Sequence, residues 1–296
     1  MARSARVAAH AKLNLRLKVL GLESGGMHSV ETILARIELA DLVTVRLDSR
    51  AQSLRMNGDE QLVLASGPAE ENLALRAART YADVTGWPRG FEIEVEKRIP
   101  VRAGLGGGSA DAAAVLTALQ ALSPEPLADA DLLPIAASLG ADVPVMVTRQ
   151  PVALAWGRGD RMLLGSGLPA REVLLLTPAF SVSTRDAYSW LDSTREVAPT
   201  PPCALDASVL SDWGQLGLIA ENDFEVAVLS RHPEVAEMLA ALSGAGAAVA
   251  RMSGSGSTVF GVFAEAPDPA SVAATGAWQV RRTRTLTQVA AAALAD

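Results

Sequence analysis

Four glycines fall within five residues, at Gly104, Gly106, Gly107 and Gly108, and the chain then runs through Ser109 directly into Ala110-Asp111-Ala112-Ala113-Ala114-Val115-Leu116. Each glycine costs backbone entropy on folding, and a helix cap needs only one. A loop of this kind can adopt positive φ and press its N–H groups against an anion. The helix behind it adds the free amides and aligned dipoles of its first turn. The spacing therefore predicts a phosphate cradle that feeds an alanine-rich helix. Taken alone, a glycine-rich turn that caps a helix is the alternative reading.

Spacing excludes the familiar phosphate loops. A P-loop needs Gly-x-x-x-x-Gly-Lys-Ser/Thr, and Ser109 follows Gly108 with no lysine between them. A dinucleotide fingerprint starting at Gly104 and Gly106 would place its third glycine at position 109, which is serine. A dinucleotide-dependent oxidoreductase fails on that count.

With 296 residues, 49% hydrophobic and 20% charged, the chain can bury two cores of ordinary size. The cluster from Gly165 to Pro169 suggests a boundary, giving domains at 1–168 and 169–296. No apolar run is long enough to cross a bilayer, and the first residues lack the hydrophobic stretch of a secretory signal, so a cytoplasmic location without a membrane partner is expected. The single cysteine, Cys203, leaves no intrachain disulfide, and no Cys/His cluster offers a structural zinc site. A net charge of −7 argues against a nucleic-acid surface. Positive potential for a phosphorylated ligand must then be local, from Lys12, Arg16, Lys18, Lys97, Arg102 and helix N-termini.

Residues 6–20 alternate, with Leu13, Leu15, Leu17 and Val19 on one face and Lys12, Asn14, Arg16 and Lys18 on the other, which predicts a strand. A solvated strand position is the ordinary reading of one lysine; Asn14, unusual in a strand and on the same face, weights Lys12 toward function. Strands are also expected at 42–47, 91–95, 173–176, 249–252 and 259–263, with further apolar pattern at 30–39. Helices are expected after Glu70-Glu71-Asn72 up to Gly86, from Asp129 to Gly140, over 186–191, and over 221–242 with an interruption near Pro233. A second glycine/serine loop, Ser253-Gly254-Ser255-Gly256-Ser257, lies between the last two strands.

Three segments now stand in order: a basic strand with Lys12 and Asn14, the loop from Gly104 to Ser109, and the late loop from Met252 to Ser257. With Gly26-Met27-His28, Glu71-Asn72-Leu73, Leu139-Gly140-Ala141-Asp142-Val143-Pro144 and Glu221-Asn222-Asp223, this set resembles the GHMP kinases, specifically the branch that phosphorylates a cytidine diphosphate-linked methylerythritol. The matching segments run from residue 11 to residue 256.

The resemblance implies a two-domain α+β GHMP kinase fold. An N-terminal ATP-binding domain like ribosomal protein S5 and a C-terminal ferredoxin-like domain would have the active site in the cleft between them. It implies transfer of phosphate from ATP, with Mg²⁺, to the 2-hydroxyl of the small-molecule acceptor, in isoprenoid precursor synthesis. Asp142 would be the general base, and Lys12 would orient it and offset charge on the moving phosphoryl group. Pro100, Ala103, Gly104, Leu105, Gly106, Gly107, Gly108 and Ser109 would wrap the nucleotide phosphates, with Ser109 near Mg²⁺; Asn72 and Lys97 match positions near adenosine. Asn14, Met27, His28, Thr184 and Tyr188 would meet the acceptor. The family's usual tyrosine is Met27 here, so a base stacked on one side only, by Tyr188, is expected. Trp156 also departs from the family pattern, and nothing in the sequence explains it. A monomer or homodimer with no nucleic-acid partner is expected. A GHMP kinase for homoserine or a sugar, and a catalytically silent nucleotide-binding regulator, are the rival readings. Retention of both Lys12 and Asp142 speaks against the second, since ATP binding needs neither.

Overall fold

The alternation of residues 6–20 becomes β1 (Ser4–Leu22), the spine of a computed structural model that describes residues 3–22, 28–48, 51–165, 167–194, 204–265, 267–274 and 276–296. Met27 and Cys203 lie outside the described residues. After β1 come β2 (His28–Asp48), β3 (Gln52–Gly58), α1 (Glu60–Ala65), α2 (Leu73–Thr85), β4 (Gly90–Lys97), α3 (Gly107–Leu122), α4 (Asp129–Leu139), α5 (Val143–Val147), β5 (Val152–Gly157) and β6 (Arg161–Gly165). The chain continues through β7 (Glu172–Pro178), α6 (Thr184–Thr194), α7 (Trp213–Ile219), α8 (Phe224–Leu229), α9 (Glu234–Gly244), β8 (Val249–Met252), β9 (Val259–Phe263), α10 (Pro269–Ala273), β10 (Trp278–Arg284) and β11 (Ala293–Ala295).

One sheet has the order β11-β1-β2-β4-β3, with β5 added to β2 and β6 to β5; the other is β10-β7-β9-β8. Among the strand pairs of the described residues, β3 and β4 alone run in parallel. Along β1 the odd residues enter three cores in turn. Ala5, Val7 and Ala9 pack with α2 and α3, Ala11, Leu13 and Leu15 with Val173, Leu175 and Phe260, and Leu17 and Val19 with Phe224, Val228 and Met238. Register shifts between His10 and Lys12 and between Asn14 and Arg16 let one strand serve all three, because a bulge bends a strand and re-aims its side chains. The opposite face is not solvated. Lys12, Asn14 and Arg16 are all buried.

The two apolar stretches expected around residue 40 are one continuous strand, β2. The break in pattern comes from Asp41, which is fully buried and accepts hydrogen bonds from the backbone N–H of Arg98 (2.5 Å) and Ile99 (2.8 Å). The Asn72 side chain caps α2, and Gly86 at φ 70° closes it. The helix expected from Glu221 begins only at Phe224, because Leu17 and Asn222 form a parallel bridge, with Leu17 N–H donating to Glu221 O (2.8 Å) and Asp223 N–H to Leu17 O (3.0 Å), and Asp223 then turns the chain into the helix. β3, α7, β10 and β11 were not legible in the sequence, as each is short or weakly patterned. Trp156 sits on β5, paired with Glu31 of β2 and Arg161 of β6.

Candidate active site

A cleft of about 660 Å³ opens where β1, the glycine loop, α5, α6 and the loop from Ser253 to Ser257 converge. Its floor is the buried polar face of β1. Lys12 Nζ donates to Asn14 Oδ1 and to the carbonyl of Gly104 (2.8 Å), and lies 3.7 Å from Asp142 Oδ2. Burial holds the Lys12 ammonium below the usual lysine pKa, and the charge of Asp142 opposes that shift. Asn14 Nδ2 donates to Thr32 Oγ1 (2.8 Å), so both ends of its amide are oriented by protein.

The glycine loop is held by backbone contacts. Lys12 N–H donates to Leu105 O (3.0 Å), and Gly104 O also accepts from Ser253 Oγ (2.9 Å). Gly104 has φ 76°, and a Cβ there would stand 2.0 Å from Ser253 O, so only glycine permits the two loops to touch. Gly106, at φ 70°, precedes α3, and a Cβ on it would press on Met146 and on the Lys12 side chain. The first N–H groups of α3 have no intrahelical acceptors and border the cleft with Gly107, Gly108 and Ser109. From the opposite wall, Asn222 Nδ2 donates to Met252 O (2.7 Å) and Gly254 O (2.8 Å), bracing the second loop, and Thr184 and Ser255 hydroxyls meet at 3.2 Å.

Asn72, Pro100, Ala103 and Arg102 line the cleft on the side of the glycine loop. Lys97 lines it too, but its ammonium is gripped between Asp41 and Asp111 Oδ2 (2.8 Å to the latter), nearly inaccessible to solvent. Arg16 pairs with Glu31 and Glu221, and Lys18 pairs with Glu221 and Asp223. Of the five cations read from sequence as sources of positive potential, Arg16, Lys18 and Lys97 are each engaged by two acidic side chains. Lys12 and Arg102 are the two that border the cleft without that engagement on both sides.

At the other end, His28 and Tyr188 stack on each other, with ring centroids 4.5 Å apart and planes at 20°. His28 Nε2 lies 2.9 Å from Asp192 Oδ1, and Phe224 meets Tyr188 edge-on at 4.8 Å. Burial, with the charges of Asp142 and Asp192 adding to it, pushes the Tyr188 phenol up to about 12. The resemblance implied that both would meet the acceptor, with its base stacked by Tyr188 alone; here the two rings stack on each other.

Residues 72–150 match the family model of the GHMP kinases N terminal domain, and residues 204–276 match that of the GHMP kinases C terminal. The 4-diphosphocytidyl-2-C-methyl-D-erythritol kinase of Symbiobacterium thermophilum is 38% identical over 266 residues, which cover 86% of this chain and 89% of that one. The kinase of the same name from Geobacter sp. strain M21 is 36% identical over 279 residues, covering 94% and 95%. The chain belongs to this family of GHMP kinases. A crystal structure of 4-(cytidine 5'-diphospho)-2C-methyl-D-erythritol kinase superposes with a TM-score of 0.73 at 34% identity, covering 95% of this chain and 99% of that one. Homoserine kinase from Cytophaga hutchinsonii reaches the same TM-score at 18% identity and covers 99% and 98%, a likeness of fold alone.

Sequence reasoning about this GHMP kinase missed the side-chain parts played by Thr32, Asp41 and Asn222. Asp41 had a signal, an acid interrupting an apolar strand. Thr32 had none, because a buried threonine in a strand is ordinary.

Proposed function

We propose that this protein transfers the γ-phosphoryl group of ATP to the 2-hydroxyl of 4-diphosphocytidyl-2-C-methyl-D-erythritol, releasing ADP. The observation that carries the reading is the Lys12–Asp142 approach of 3.7 Å beside the glycine loop and the N-terminus of α3. Asp142 takes the proton as the acceptor O–H bond breaks and the new O–P bond forms, and the bond between the γ-phosphorus and the β–γ bridging oxygen breaks. Phosphoryl transfer asks little covalent chemistry of the protein, so alignment and charge stabilisation supply most of the acceleration. Lys12 provides a fixed cation in a water-poor site, where its attraction for developing charge is strong. The loop N–H groups from Gly104 to Ser109 hold the nucleotide phosphates.

The Ser109 hydroxyl, at the first turn of α3 and close to Gly140, suits an Mg²⁺ ion that takes most of its oxygens from phosphates and water. When bound, that ion would neutralise phosphate charge. We further place the domain division at 1–168 and 169–296, with β11 returning to the first sheet, and the protein in the cytoplasm as a monomer or homodimer.

Incubating purified protein with ATP and Mg²⁺ and, separately, the cytidylated methylerythritol, homoserine and a panel of sugars tests the reading. Turnover of the cytidylated acceptor alone is expected. Turnover of homoserine or a sugar in its place overturns it.

A further inference from the structure

Arg36 is a buried arginine whose partners are carbonyls and not carboxylates. It stands on β2 directly opposite Lys12 of β1, and its Nη2 lies 2.9 Å from Val145 O, 2.6 Å from Met146 O and 2.5 Å from Thr148 O. These are carbonyls of the last turn of α5 and of its C-cap; Val145 O also accepts from the Thr148 N–H (3.2 Å) and Oγ1 (2.7 Å), so Arg36 joins a carbonyl cluster that closes the helix. A cation there also suits the negative end of the helix dipole. Burial draws the guanidinium down to about 10, which leaves it charged at neutral pH. Its Nε is buried without a partner, so the placement of Nη2 has been reached at a cost in solvation.

The helix so held has only five residues, too few to persist without outside support. Asp142 is its N-cap, and Met146 N–H donates to Asp142 O (3.1 Å). The Met146 methyl and the methylenes of Lys12 both lie over Gly106, in the space a Cβ there would fill. α5 is thus tied at both ends to one pair of facing strand residues. Arg36 holds its carbonyl end, and Lys12 faces the carboxylate at its start.

We propose that Arg36 is a positioning residue for phosphoryl transfer: its grip on the carbonyl end of α5 sets where the Asp142 carboxylate stands relative to Lys12 and the acceptor hydroxyl. The inference rests on Asp142 being the general base. It requires that loosening α5 lower turnover without weakening the nucleotide site, which is built from the glycine loop and α3.

Arg36→Met, Arg36→Gln and Arg36→Lys are assayed below their melting temperatures, with kcat expressed per folded molecule counted by calorimetric titration with a non-hydrolysable ATP analogue. Because misplacement by about 1 Å can cost about 100-fold, Arg36→Met is expected to lose about 10- to 100-fold in kcat while KM for ATP stays within about twofold. Arg36→Lys, which keeps a cation near the carbonyls, is expected to recover at least half of that loss on a logarithmic scale. Should Arg36→Met not fold, Arg36→Gln is expected to show an intermediate loss. Wild-type kcat in a folded Met or Gln variant overturns the proposal, as does a loss of kcat matched by an equal rise in KM for ATP. Asp142→Asn run alongside separates the two readings: retained turnover there refutes the base assignment, whereas its loss beside full turnover in the Arg36 variants refutes only the positioning role.

Discussion

Lys12 and Asp142 approach to 3.7 Å across the mouth of the glycine loop, the lysine nearly inaccessible to solvent and the aspartate with 30% of its side chain exposed. That difference suits their parts. The cation is fixed and desolvated, and the carboxylate remains open to an incoming hydroxyl. Asp142→Asn preserves shape and removes the proposed base, so kcat is expected to fall about 10²- to 10⁴-fold, with the dissociation constant for ATP little changed by calorimetry. Unchanged turnover would exclude Asp142 as the proton acceptor.

Gly104 and Gly86 share a left-handed conformation, at φ 76° and 70°, but not an environment. A Cβ on Gly86 meets nothing within 4 Å, whereas one on Gly104 would stand 2.0 Å from Ser253 O and 2.9 Å from Gly256 O. Gly86→Ala should cost about 1–2 kcal/mol from backbone conformation alone and keep full turnover. Gly104→Ala must separate the two loops, with a loss of about 4 kcal/mol or more and of measurable activity. Thermal melting and steady-state assay of the pair check this, and equal melting temperatures would contradict it.

The glycine loop, the strand bearing Lys12 and Asn14, and the helix capped by Asn72 were all legible because each is a local pattern with one physical solution. What the sequence concealed is pairing across distance. Nothing local says that Arg16 and Lys18 are spent on Glu31, Glu221 and Asp223, or that Lys97 sits between Asp41 and Asp111. For Lys12 a solvated position stood beside a functional one, because alternation reveals two faces and not what covers the second. Here that cover is the late loop, whose Ser253 and Gly254 approach Gly104 and Lys12.

Asp111 gives the fold a pH dependence of definite sign. Burial, opposed by Lys97 and reinforced by Asp41, pushes its carboxyl up to about 8. The unfolded value is near 3.9, so between about pH 4 and pH 8 the folded state holds a proton that the unfolded chain has released. Stability from this group therefore falls as pH rises through that window, by up to about 1.4 kcal/mol per unit. Asp111→Asn is neutral throughout and removes the slope. Melting temperature compared between pH 6 and pH 8 should drop by about 2–4 °C per unit more in the wild type than in the variant; parallel curves would show that Asp111 is ionised in the fold.

The stack of His28 on Tyr188 makes opposite predictions for two neighbouring substitutions. Ring centroids 4.5 Å apart leave no room for a base between them, so an acceptor base that stacks on Tyr188 must first displace His28. Displacement breaks the 2.9 Å contact from His28 Nε2 to Asp192 Oδ1. Asp192 is half exposed, and such a pair holds with at most about 1 kcal/mol. Asp192→Asn should therefore ease opening and lower KM for the cytidylated acceptor by no more than about fivefold. Tyr188→Leu removes the stacking surface itself, worth about 1–3 kcal/mol per base, and should raise the same KM about fivefold or more. KM for ATP should move in neither variant, because the loop proposed to hold the nucleotide phosphates, Gly104 to Ser109, is braced by Lys12 and Ser253 and not by the His28–Tyr188 stack. A rise in acceptor KM on Asp192→Asn would mean that Asp192 orients His28 toward the base and does not hold the slot closed.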